Sequence, residues 1–126
     1  MKISIITPSY NQGQFIEETI ESVLKQKDAD VEMIVMDGGS TDNTLDILNK
    51  YSDRIKWLSA KDKGQTDAIN KGMKMASGDI VAYLNSDDCY TEGALSKVTG
   101  YFRNHPDCMI LTGDYIIVNE KGERIQ

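Results

Sequence analysis

The chain has 126 residues, about one domain, and its 40% hydrophobic and 27% charged residues match one packed core. Its formal net charge is −6, which argues against a nucleic-acid-binding surface. The same charge disfavours a phosphorylated ligand unless a cation or local hydrogen-bond donors help to hold it.

Residues 2–7 read as a strand: Ile3, Ile5 and Ile6 are β-branched, and Pro8 is expected to end it. Ser9-Tyr10-Asn11-Gln12-Gly13 is turn chemistry. From residue 14 to about 27, Ile16, Ile20, Val23 and Leu24 share one helical face. Glu17, Glu18 and Glu21 lie in the early turns and Lys25 and Lys27 in the last, as the helix dipole favours.

Residues 31–36 form a second apolar run, stopped by Asp37-Gly38-Gly39-Ser40. Ser40 or Thr41 is expected to cap the next helix, with Leu45, Leu48 and Tyr51 facing inward. Residues 55–59 are a weaker third strand. The loop 60–64 leads into a helix from about 65 to 76, where Ile69, Met73 and Ala76 repeat at helical spacing and Gly72 allows close packing on a sheet.

The fourth strand, residues 80–84, ends in Asn85-Ser86-Asp87-Asp88. Thr91 is expected to cap a helix running to about residue 104, with Leu95, Val98 and Phe102 inward and Pro106 beyond its end. Residues 109–112 and 115–119 read as fifth and sixth strands, and Glu120-Lys121-Gly122 as a hairpin turn. Strand and helix alternate four times before these last strands, which predicts an α/β fold with a mostly parallel sheet and a C-terminal β-hairpin.

The two cysteines, Cys89 and Cys108, lack a CxxC spacing, and the sole histidine is His105, so zinc and a disulfide framework are both disfavoured. Both cysteines read as ordinary thiols of a reducing compartment. No run approaches the roughly 18 apolar residues of a membrane span. The N-terminal apolar stretch is too short for a signal peptide, so the expected location is cytoplasmic.

In parallel sheets with helices on the faces, ligands bind outside the carboxyl ends of the strands. Four polar clusters therefore share one edge: residues 7–11, 37–42, 61–64 and 85–88. Their convergence carries more weight than any single motif. Asp87 and Asp88 offer two carboxylates to a hard cation such as Mg²⁺ or Mn²⁺, which commonly takes one or two carboxylates plus phosphate oxygens. An isolated Asp pair more often caps a helix or faces solvent. Asp37 can accept an N–H from a nucleobase edge or can bond its own turn. Thr7, Pro8 and Tyr10 can wrap a base or form a plain βα turn. Asn70 can orient the aspartate loop, Lys71 reads equally as a solvated residue, and His105 as a surface residue near a helix end.

The segments ITPSYNQGQFIEETIESVLKQ, VMDGGSTDNTLDIL and KDKGQTDAINKGMKMASGDIVAYLNSDD, in unbroken order, strongly resemble family 2 glycosyltransferases of the GT-A fold. The resemblance implies a three-layer α/β/α Rossmann-like nucleotide-binding half. It also implies inverting transfer of a sugar from a nucleotide-diphosphate donor, usually UDP-linked, to an acceptor hydroxyl with Mn²⁺ or Mg²⁺. It places Thr7, Pro8, Tyr10 and Asp37 at the base, Asp62 near the nucleoside, Asp87 at the ribose and Asp88 on the metal. Asn85 stands where the family signature usually has an acidic residue, and Ile69 where many relatives carry Arg.

The resemblance further implies that the general base is an Asp or Glu beyond Gln126. Residues 1–126 are therefore expected to be the donor-binding part, with the acceptor-binding part absent and little or no transfer by this chain alone. The acceptor would be a glycan or a lipid-linked molecule, with polysaccharide assembly a family-level expectation. Apolar surface around the last strands is expected to favour self-association. A non-catalytic nucleotide-binding or oligomerisation module is the alternative. A receiver domain is excluded by the missing acidic pair after the first strand, and a nucleotidyltransferase by the lack of a Gly-rich basic loop in TPSYNQG.

Overall fold

A computed structural model describes residues 1–125; Gln126, the last residue of the expected donor-binding part, lies outside them. In chain order the elements are β1 (Lys2–Ser9), α1 (Ile16–Leu24), β2 (Asp30–Asp37), α2 (Thr44–Lys50), β3 (Lys56–Ser59), α3 (Gln65–Met75), β4 (Ile80–Tyr83) and α4 (Ala94–Asn104). The strands form one parallel sheet in the order β3-β2-β1-β4. β1 and β2 pair along their whole length, from Lys2 opposite Asp30 to Ser9 opposite Asp37.

Alternation along β1 splits the core in two. Ile3 and Ile5 join Ile16, Ile20 and Val23 of α1, Leu48 of α2 and Leu95 of α4 on one face. Ile6 joins Ile34 and Met36 of β2 and Ala68 of α3 on the other. The result is the expected α/β/α layering, with α3 as the helix on the second face. α3 turns a different side inward than its larger apolar residues suggest. Ala68 and Gly72 are buried, whereas Met73 is half exposed. The cause is steric: a Cβ on Gly72 would lie 2.4 Å from Ile6 Cγ2, so only the small-residue side brings the helix this close to the sheet.

Several boundaries also move. β1 runs through Pro8 to Ser9. The Ile6 carbonyl accepts the Leu84 N–H at 2.9 Å, so by alternation Pro8 faces the side where β4 has ended and no ladder bond is lost. α1 stops at Leu24, leaving Lys25 as its C-cap and Lys27 outside the helix. Ser40 does not cap α2. The helix begins at Thr44, whose N–H donates to Asp42 Oδ1 at 2.9 Å. α4 begins at Ala94 after Gly93, which takes a left-handed φ of 76°, so Thr91 is not its cap.

The expected fifth and sixth strands do not form as strands. Among the described residues after α4, the pairing is one antiparallel bridge, Val118 with Arg124. It closes the hairpin turn with the Asn119 N–H donating to the Glu123 carbonyl at 2.8 Å. Met109, Ile110 and Tyr115 are exposed. No described helix is long and apolar enough to cross a membrane.

The end of the sheet away from the strand carboxyl termini is pinned by Glu32, a carboxylate buried in β2. It accepts hydrogen bonds from Ser4 Oγ at 2.5 Å, Lys56 Nζ at 2.7 Å and the Ser77 N–H at 2.9 Å, joining β1, β2, β3 and the α3–β4 turn. Burial alone would push its pKa up, but the bonds from Lys56, Ser4 and Ser77 outweigh it and hold the carboxyl well below the ordinary glutamate range. Because the folded-state pKa is depressed, this stabilisation is present above the ordinary value of 4.5 and is lost as pH falls below it. Glu32→Gln is expected to cost about 2–3 kcal/mol at neutral pH. It should also flatten the acid limb of the stability profile in urea melts between about pH 5 and pH 3. An unchanged acid limb would refute this role.

Candidate functional site

Four parallel strands bring Ser9, Asp37, Ser59 and Tyr83 to one edge, and their loops are sewn together there. Asn11, at a left-handed φ of 50°, accepts the Thr41 N–H on Oδ1 at 2.8 Å and donates its own N–H to Ser40 Oγ at 2.8 Å. The Gly13 N–H donates to Asp42 Oδ2 at 3.0 Å. The Gly38 N–H reaches the Ser9 carbonyl at 2.8 Å, and the Ala60 N–H the Asp37 carbonyl at 3.0 Å. On the opposite side, Gln65 Nε2 donates to Asn85 Oδ1 at 2.7 Å, tying the start of α3 to the loop after β4.

These loops enclose a cavity of about 720 Å³. Pro8, Ser9, Tyr10 and Gln12 line it from the first loop and Gly38 and Gly39 from the second. Lys61, Asp62 and Gly64 line it from the third, Gln65 and Ala68 from α3, and Asn85, Ser86 and Asp87 from the fourth. A volume in the range of a few hundred to about 1,000 Å³ accommodates a ligand the size of a nucleoside diphosphate.

The expected site residues separate into two groups. Pro8, Tyr10, Asp62 and Asp87 line the cavity. Thr7 and Asp37 do not. Thr7 is fully buried, because alternation puts it on the same face of β1 as Ile3 and Ile5. Asp37 is 3% exposed and spends its oxygens within the protein. Oδ2 accepts the Gly39 N–H at 3.1 Å, the Ser40 N–H at 2.8 Å and the Ser59 hydroxyl at 2.7 Å, while Oδ1 accepts the Ser40 hydroxyl at 2.5 Å. A carboxylate has about four lone-pair sites, so little acceptor capacity is left.

Asp88 is exposed and lies just outside the cavity lining. Its N–H donates to the Asn85 carbonyl at 3.1 Å, and its Oδ2 faces the Asn85 amide at 3.4 Å. Asn70 is exposed, and the contact to the aspartate loop comes from Gln65 instead. Lys71 pairs with Asp67 at 2.9 Å. His105 stacks on Tyr101 with ring centroids 4.0 Å apart, at the surface as expected.

The donor set at the fourth loop fits a hard divalent cation held jointly with a ligand. Asn85, Asp87 and Asp88 offer oxygen only, as Mg²⁺ and Mn²⁺ prefer. Among the described residues no three His, Cys, Asp or Glu side chains cluster as a self-sufficient metal cage. An ion at this loop would therefore complete its shell with water and ligand oxygens.

Of three further lining features, Ser9 and Lys61 were not singled out from the sequence, whereas Gly38 belongs to the glycine pair that suggested a close backbone approach after Asp37. Ser9 Oγ is buried and has no hydrogen-bond partner among the described residues. Its signal was its place two residues after Thr7, on the last pleat of β1. Lys61 supplies a cation to the cavity wall, and the lysines of KDK were readable as such a source. Gly38 carries no side chain, and a Cβ there would lie 2.9 Å from Asp62 Oδ2.

A family model described as glycosyl transferase family 2 matches residues 4–125. The glycosyltransferase TuaG of Bacillus subtilis, whose name provisionally assigns it to teichuronic acid biosynthesis, is 37% identical over 124 residues, covering 95% of this chain and 49% of that protein. The structure of Staphylococcus aureus TarS residues 1–349 with UDP-GlcNAc superposes with a TM-score of 0.78 at 31% identity, over 84% of this chain and 32% of that one. Glucosyl-3-phosphoglycerate synthase of Mycobacterium tuberculosis, solved with Mn²⁺, UDP and glucosyl-3-phosphoglycerate, superposes with a TM-score of 0.58 at 30% identity. That match covers 68% of this chain and 33% of the synthase. The chain thus spans about half the length of TuaG and a third of each of these two structures.

The saturation of Asp37 has a measurable consequence. Asp37→Ala leaves two backbone N–H groups and two hydroxyls short of their acceptor, and is expected to lower stability by about 3 kcal/mol in denaturant titration. A variant as stable as the parent would show that these bonds do not organise the edge.

Proposed function

Because the chain belongs to glycosyl transferase family 2, we propose that residues 1–126 form the donor-binding part of an inverting glycosyltransferase. Its donor is a nucleotide-diphosphate sugar, most simply a UDP-sugar, and transfer is to an acceptor hydroxyl with the help of a divalent cation. The observation that carries this reading is the cavity at the strand carboxyl edge, with Pro8 and Tyr10 on one wall and the oxygen donors of Asn85, Ser86 and Asp87 on another. The UDP-GlcNAc complex of TarS and the Mn²⁺–UDP complex of the mycobacterial synthase support donor and metal.

In this reading each group has a task that its position allows. Tyr10, 60% exposed at the rim, offers a ring face to the base, with Pro8 behind it. Asp87 takes the ribose hydroxyls. Asp88, whose Oδ2 faces the Asn85 amide NH₂ group, would hold the cation, Mn²⁺ or Mg²⁺. When bound, that ion offsets the charge on the departing diphosphate. Lys61 adds a positive charge to the wall from the third loop, while position 69 of α3, where the family resemblance expects Arg, is Ile here. Thr7 acts from beneath by shaping the loop. No described carboxylate is assigned as general base.

The acceptor is a glycan or lipid-linked hydroxyl, and polysaccharide assembly is the setting that TuaG's name suggests. The chain acts on the cytoplasmic side of the membrane. Exposed Met109, Ile110 and Tyr115, with the open edge of β4, support self-association of this chain. A second reading is nucleotide binding without transfer.

Titration calorimetry tests the donor site. UDP is expected to bind with Mn²⁺ and to weaken at least about tenfold, or 1.4 kcal/mol, in chelator. Asp88→Ala should remove that difference. Absence of binding by UDP, GDP and dTDP in the presence of metal would sink the donor-site assignment.

A further inference from the structure

The loop that carries Asp87 and Asp88 runs from the end of β4 to Ala94, the first residue of α4, and one side of α1 grips it along its length. Thr19, Ser22 and Gln26, the last just past the helix end, recur at i, i+3 and i+7 and so follow a single stripe. Thr19 is fully buried, and its hydroxyl donates to the Ser86 carbonyl at 3.0 Å. The Ser22 hydroxyl donates to the Thr19 carbonyl at 2.8 Å and accepts the Tyr90 N–H at 3.1 Å. Gln26 uses both ends of its amide: Nε2 donates to the Thr91 carbonyl at 2.9 Å, and Oε1 accepts the Leu95 N–H at 3.0 Å. Leu95 lies in the first turn of α4. Gly93, which precedes that helix, has no side chain to cap it, so the cap comes across from Gln26. Between the Ser86 and Tyr90 anchors lie Asp87, Asp88 and Cys89, all exposed.

Resting on the nucleotide-sugar reading above, we propose that Ser22 and Gln26 are positioning residues for the acidic loop. They fix the far flank of the short span that bears both aspartates, while Thr19 fixes the near one. Neither Ser22 nor Gln26 lines the cavity, so each acts only through the loop. The other supports stop short of the span. The Leu84 N–H meets the Ile6 carbonyl at 2.9 Å, and Gln65 reaches Asn85, both ahead of Asp87. A slack loop must be ordered as a cation binds, at a cost in backbone entropy. A loop already held from both flanks meets that cost on folding, which leaves the carboxylates oriented for an incoming ion.

The experiment measures, by calorimetry on the whole 126-residue chain, the gain in UDP affinity when Mn²⁺ replaces chelator. In the double variant Ser22→Ala with Gln26→Ala the gain should fall to within about threefold, while affinity in chelator stays within about twofold of the parent. Alanine is a good helix former at position 22, and Gln26 lies outside α1, so the helix is kept. Gln26→Ala alone should lower the gain at least about twofold. Ser22→Thr retains the hydroxyl and should retain the gain. Glu32→Gln loosens the opposite end of the sheet and should leave the gain unchanged, which separates positioning from general destabilisation. In the metal-free chain, NMR-detected hydrogen exchange at the Asp88 amide, which bonds the Asn85 carbonyl, should be at least about fivefold faster in the double variant. A parent-like gain in either alanine variant, or parent-like Asp88 exchange in the double variant, overturns the assignment and leaves the donor site standing. Loss of the gain in Ser22→Thr or Glu32→Gln overturns it as well. A parent chain that shows no gain with Mn²⁺ overturns both the assignment and the metal-assisted donor reading.

Discussion

A buried carboxylate must be satisfied by its own protein, and at the carboxyl end of β2 that requirement organises everything above it. Asp37 draws in the Gly39 and Ser40 N–H groups and the Ser40 and Ser59 hydroxyls. It thereby fixes the second loop and binds it to β3. Ser40 passes the constraint on, because its hydroxyl also accepts the Asn11 N–H from the first loop. Asn11 in turn holds Thr41. Three loops are therefore set by one anion, and the cavity walls inherit their positions from it. The other end of β2 repeats the device. Glu32 collects Ser4, Lys56 and Ser77 from three neighbouring segments. A parallel strand clamped in this way at both ends resists register slip, and slip by one residue would move every core side chain to the opposite face of the sheet.

The layout of the fold was legible because its signals are local and repeated. Four apolar runs with helical stretches between them leave few alternatives to a parallel sheet. The features that escaped are set by tertiary contact. The inward side of α3 follows from the room left beside Ile6, and helical spacing of large residues pointed at Met73 instead. Residues 109–112 and 115–119 have strand-like composition, but a strand exists only by pairing, and the described chain gives them little to pair with. The starts of α2 and α4 depended on which of several polar residues was already engaged elsewhere, as Ser40 is with Asp37.

The site divides along the same line. Pro8, Tyr10, Asp62 and Asp87 were readable as edge residues and do line the cavity. Thr7 and Asp37 were named with them, yet both point into the protein. For Thr7 the signal was available, since a period of two places it with Ile3 and Ile5. For Asp37 it was not, because no motif states that four donors will converge on it. An acidic chain with a net charge of −6 that carries two adjacent aspartates at this edge also sets a requirement for any anionic ligand. On the proposed reading, a diphosphate and this loop would repel each other without a cation between them.

β4 is an outer strand of the sheet, and among the described residues only its β1 side is paired. The Leu84 N–H points at β1, so by alternation the amides of Val81 and Tyr83 point away from the sheet, with their side chains 41% and 60% exposed. This gives neighbouring residues unequal protection from solvent. In deuterated water the amides of Val81 and Tyr83 would exchange within the dead time of manual mixing, while that of Ala82 would be retained as long as its ladder holds. The sheet thus grades from a slow centre at β1 and β2 to a fast rim. That rim directly precedes the loop bearing Asp87 and Asp88, so the acidic loop hangs from an outer strand of the fold, while the first and second loops rest on the two central ones.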